Sequence, residues 1–148
     1  MFLGLLLPFA ACQSPADDSA DPASSACTAA APTWGEGGMD MLPGTNCQGC
    51  HSPGSRAEGA VFTVGGTVFA AVDCPEGVAG ASVSVTDAAG ASLVLMTSAV
   101  GNFASADALV APLRVQVTVG ASTREMVEDA PSGACGSCHS PDGVGYVW

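Results

Sequence analysis

Two short stretches of this chain concentrate its reactive side chains. "NCQGCHSPG" spans positions 46–54 and "ACGSCHSPD" spans 134–142. Each reads C-x-x-C-H followed by Ser-Pro. Two thiols three positions apart can add across the two vinyl groups of a haem, and the histidine after the second thiol then offers Nε2 to the iron. Cys47, Cys50 and His51 form one such set, and Cys135, Cys138 and His139 the other. Both histidines of the chain fall in these two slots, so the expectation is two covalently attached haem c groups with His51 and His139 as iron ligands.

Three other chemistries use the same residue types. A shared structural zinc site wants its Cys/His pairs about 12–20 residues apart, and a whole module lies between these motifs. A thioredoxin-type C-x-x-C needs a βαβ setting, which the sequence lacks, and leaves the two histidines unexplained. Two plain disulfides would make the repetition a coincidence.

With both histidines used, the distal positions fall to methionine, the other good haem ligand. Met41 stands in "MLPGTNCQGCH" and Met126 in "REMVEDAPSGACGSCH", each just ahead of a motif. These two are the expected sixth ligands, with Met39 in reserve for Met41. Met96, inside "SLVLMT", is expected in the core.

The elements that must position these residues are β-strands. From Val61 to Glu128, runs of Val, Thr, Phe and Leu alternate with turn signals such as "DAAG" at 87–90 and "VGN" at 100–102. Six strands are expected, at 61–72, 81–87, 91–97, 102–106, 112–119 and 122–128. "SVSVT" and "RVQVTV" show the period-two alternation of a half-buried strand. The expected fold is all-β, a prealbumin- or Ig-like β-sandwich flanked by two loop-rich haem-attachment segments. An even number of antiparallel strands would bring both motifs to one end, and an odd number would put them at opposite ends.

The rest of the chain concerns location. "MFLGLLLPFAAC" is a short apolar run ending in small residues and Cys12, the pattern of a secretory h-region. It also resembles the bacterial lipoprotein signal, which implies lipidation at Cys12, with Phe9 in place of the usual Leu. No later run reaches the about 18 apolar residues of a membrane helix. Haem c ligation occurs outside the cytoplasm, so export is expected on both grounds, to a periplasmic or cell-surface, membrane-anchored site. Residues 13–38 are rich in Ser, Ala, Pro and Asp and read as a flexible tether, with Trp34 its only large apolar residue. Of the seven cysteines, Cys27 and Cys74 remain, and in an oxidising compartment they are expected to pair. The boundaries expected are 1–12 signal, 13–38 tether, 39–60 first attachment segment, 61–128 β module and 129–148 second attachment segment.

With 14 acidic side chains, 3 basic ones and a net charge of -11, the chain is ill suited to nucleic acid or anionic lipid. Redox proteins with basic docking surfaces are the expected partners.

The β module resembles the carboxypeptidase-regulatory-type family through Gly66-Thr67-Val68, "GVAGASVSVTDAAG" at 77–90 and "TSAVGNF" at 97–103. That likeness implies a prealbumin-like sandwich without catalytic residues. The wider arrangement from Met41 to Gly143, two C-x-x-C-H motifs around such a module, resembles small exported dihaem cytochromes. This implies electron transfer and no enzymatic activity. The competing expectations are a haem enzyme of the peroxidase or nitrogen-oxide reductase type, and a haemless adhesion or carbohydrate-binding module.

Overall fold

The computed structural model describes residues 37–71 and 74–140. The candidate lipidation site Cys12, the tether up to residue 36 with Trp34, and Cys27 lie outside the described residues. The Cys74 side chain also lies outside them, so the Cys27–Cys74 pairing falls there too.

The described residues form an all-β structure without an α-helix. In chain order the strands are β1 (Val64–Thr67), β2 (Phe69–Ala71), β3 (Cys74–Gly77), β4 (Ser82–Thr86), β5 (Ser92–Met96), β6 (Asn102–Ser105), β7 (Arg114–Val119), β8 (Ser122–Glu125) and β9 (Gly133–Ala134). They make three sheets, ordered β6-β1-β9, β2-β3 and β5-β4-β7-β8. All pairings are antiparallel except β1 with β9. No helix among the described residues is long and apolar enough to cross a membrane.

The alternation in β4 and β7 builds the core. Val83 and Val85 are buried while Ser84 between them is not. Val83 sits opposite Val117 and Val85 opposite Val115, which fuses four valines into one apolar layer. Leu95 and Leu93 extend it on the other side of β4. Val64, Val68, Phe103 and Leu113 close over it from outside the four-stranded sheet. Full burial of each such side chain stabilises by about 1.5–3 kcal/mol.

Asp87 ends β4. Its carboxylate accepts the Val110 N–H at 3.0 Å on Oδ2, and the Ala89 and Ala91 N–H groups at 2.9 and 2.8 Å on Oδ1. The tight turn 87–91 is thereby tied to the loop at 110. The Val110 bond leads the causes that hold this carboxyl below the usual carboxylate range.

Four of the six expected strands appear with small changes of length, as β4 to β7. The long strand expected at 61–72 breaks at Val68, whose N–H donates to Gly101 O and whose carbonyl accepts from Val78 N–H, both at 2.9 Å. "CPEG" forms β3, and the short β9 was not expected. The last expected strand stops at Glu125. Met96, expected in the core, is instead 59% exposed. The phase of β5 is set by pairing of Leu93 and Leu95 with the buried valines of β4, which turns Val94 and Met96 outward.

Candidate cofactor-attachment site

Both motifs fold into the same turn. Cys47–Gly49 and Cys135–Ser137 are each a 3₁₀ turn. In the first, the Cys50 and His51 N–H groups donate to Cys47 O at 3.1 and 2.9 Å. In the second, those of Cys138 and His139 donate to Cys135 O at 3.2 and 2.9 Å. The backbone angles at the second cysteine also agree, -114°/-29° at Cys50 and -109°/-42° at Cys138. Closing the turn onto the first cysteine's carbonyl stacks that cysteine and the histidine on one side of the turn, as residues four apart in a helix do.

The first turn is braced from its C-terminal side. His51 is buried and its ring lies on Phe62, centroids 4.3 Å apart and planes 20° from parallel. His51 Nδ1 lies 2.8 Å from Ala60 O. A carbonyl oxygen only accepts, so in the neutral ring Nδ1 carries the proton and Nε2 keeps its lone pair. Gln48 Nε2 donates to Phe62 O and Thr63 O at 3.2 and 2.8 Å. The Ser55 hydroxyl donates to Cys50 O.

The loop before this turn is held from the sheet. Buried Asn102 donates through Nδ2 to Met39 O at 2.9 Å and Met41 O at 2.8 Å. Its Oδ1 accepts from Thr67 Oγ1 at 2.7 Å, and Thr67 Oγ1 in turn accepts the Gly44 N–H at 2.8 Å. Leu42, next to Met41, takes a left-handed φ of 44°, a strained conformation for a branched side chain. The Met41 backbone is thus pinned while its side chain is half-buried. Met39 is 51% exposed. Met126 packs against the hydrophobic core.

The second turn is braced from its N-terminal side. β9 runs parallel to β1, with Gly133 opposite Val64 and Ala134 opposite Gly65. A Cβ at Gly133 would strike Thr63 O and the Val64 backbone. β9 then delivers Cys135 onto β1, where a Cβ at Gly66 would come within 2.9 Å of Cys135 Cβ. Cys47 meets the adjacent glycine: a Cβ at Gly65 would lie 3.2 Å from Cys47 Cβ. The turns also meet each other directly, since a Cβ at Gly136 would lie 2.8 Å from Thr45 O and 3.0 Å from Asn46 Cα. His139 is half-buried. The two motifs, far apart in sequence, are therefore one structural site on β1.

The thiols are not alike. Burial pushes the Cys135 thiol up to about 11, and the neighbouring Cys47 adds to the rise. Burial also raises the Cys47 thiol. A redox-active C-x-x-C depends on a lowered first thiol, so the environment here opposes that reading. Cys47, Cys50 and Cys135 are free thiols. Cys138 is disulfide-bonded. Among the described residues no three His, Cys, Asp or Glu side chains converge on one point.

The residues of this chain fit covalent haem in their donor chemistry: a repeated C-x-x-C-H turn, and an imidazole whose Nε2 is left available by its Nδ1 bond. The six motif residues were evident from sequence, whereas Phe62, Gln48, Asn102 and Gly136 were not. The pair Gly65-Gly66 inside a strand was a visible sign of close backbone approach. No family model, curated protein or solved structure matches this chain.

Proposed function

We propose that this chain is an exported, lipid-anchored dihaem c-type cytochrome that relays single electrons between redox proteins and catalyses no reaction of its own. The observation that carries the reading is His51, buried in a C-x-x-C-H turn with Nδ1 bonded to Ala60 O and Nε2 left as the ligand atom. The second motif repeats that turn. Each haem, when bound, supplies a one-electron iron couple.

The chain's own residues supply the rest. Cys47 with Cys50, and Cys135 with Cys138, would each lose two S–H bonds by addition across vinyl C=C bonds, with no net oxidation. Cys138 must first be released from its disulfide by a dithiol reductant. His51 and His139 would be the proximal ligands. Met41, pinned through its carbonyl by Asn102, is the distal candidate for the first iron. Met126 is the candidate for the second, and would leave its packing on the core to serve. The sheets would form a prealbumin-like sandwich that holds the attachment turns. Cys12 would carry the anchor, and the acidic surface would favour partners with basic faces.

The test is the intact mass of the mature chain, purified from cells that ligate haem c, with its reduced visible spectrum. Two haem increments and a sharp reduced c-type spectrum are expected. A mature mass without haem would reject the proposal and leave the haemless binding module.

A further inference from the structure

We infer that the two attachment turns form one coupled redox pair, clamped through Gly65, Gly66 and Gly136, and not two independent relay stations. This rests on the dihaem reading. The first cysteine of each motif lies on one of two adjacent glycines of β1, and Gly136 of the second turn abuts the Thr45–Asn46 backbone beside the first. At Gly66 and Gly136 a single methyl group would fall below 3.0 Å from its neighbour. The neighbour of Gly136 is backbone, which cannot swing away as a side-chain tip can. Thioethers tie a haem to its turn by short links, so two haems tethered here are held as neighbours.

Neighbouring couples do not titrate independently. With both haems bound, oxidation of one iron would add a positive charge beside the other, and the half-buried turns that would hold them limit screening by salt. The second oxidation is then harder, and the potentials belong to the pair. Such a pair would hold up to two electrons, one on each iron. Gly65, Gly66 and Gly136 are positioning residues in this scheme, since none of them offers a ligand.

The experiment uses the full haem-loaded chain, whose mass first establishes two haems. Soret circular dichroism should show a two-signed couplet. Each haem's potential should also shift when the other haem is absent, in the C47A/C50A and C135A/C138A variants. Gly136→Val should shrink both the couplet and that shift while both mass increments stay. A two-haem protein with a plain Soret band and potentials unchanged in the single-haem variants would overturn the pair and leave the dihaem reading standing. A chain without haem mass would remove both. Should Gly136→Val fail to fold, the wild-type couplet and the potential shifts still decide the matter.

Discussion

The two halves of the site have the same turn and opposite mountings. The first is fastened from downstream, by Ala60, Phe62 and Thr63 acting on His51 and Gln48. The second is fastened from upstream, by β9 docking parallel to β1 and carrying Cys135 onto Gly66. One local conformation, closed by the N–H of residue i+4 on the first cysteine's carbonyl, is therefore held by two different sets of braces. The C-x-x-C-H sequence dictates the turn, and the surroundings dictate where it sits and how deeply its groups are buried.

Substitutions that unfasten one mounting should spare the other turn. The largest effect is expected from Gly133→Val. Its side chain has no space beside Thr63 and Val64, so β9 must leave β1. We expect a loss of about 3 kcal/mol or more of unfolding free energy, and one haem increment missing from the mass, assigned to the second motif by peptide mapping. Asn102→Ala removes two donors and an acceptor from a buried network and acts on the first motif's loop. A loss of about 2 kcal/mol is expected by chemical denaturation, with a weakened thioether-to-iron band near the red end of the visible spectrum. A Met41→Ala protein would lose that band with far less destabilisation, which separates the loop's anchor from the proposed ligand.

How much of this was legible in the sequence depended on whether a signal was local. The C-x-x-C-H sets are contiguous, so the candidate site residues could be read directly, and both copies form the same turn. β4 and β7 were legible because serine, threonine and glutamine alternate with valine, which marks the buried phase. β5 was located, but every residue from Leu93 to Met96 is apolar, so its phase was ambiguous until pairing with β4 settled it; hence the misplaced Met96. β3 contains Pro75 and Gly77 and carries no strand pattern. β9 is two small residues whose pairing with β1 is a long-range event. Convergence of the motifs was expected from an even count of antiparallel strands, but it comes from that one parallel pairing.

Phe62→Ala sharpens the comparison on a smaller scale. It removes the ring beneath His51 and should cost about 1–2 kcal/mol, broadening the first haem's spectrum while the second is unchanged in the single-haem proteins. The smallest effect is expected from Asp87, which serves neither mounting and acts as the control. Its carboxyl is held low in the folded state, so its contribution to stability is present above the carboxyl's unfolded-state pKa and is lost as pH falls through the folded value. The melting temperature should fall in acid for the wild type, and Asp87→Asn should flatten that part of the profile without changing either haem's spectrum. A difference between the haems in this variant would show that the 87–91 turn is not remote from the site.

The parallel pairing of β9 with β1 also imposes a timetable. A chain made or exported N-terminus first presents Cys47, His51 and the brace that ends at Thr63 within one short run, with hydrogen bonds spanning at most 15 residues. That turn can close while the rest is still emerging. The second cannot seat until β1 is in place and β9 has appeared, because both its strand partner and the Thr45–Asn46 backbone it abuts lie far upstream in the sequence. The first site is thus ready early, and the second only once β9 has docked on β1.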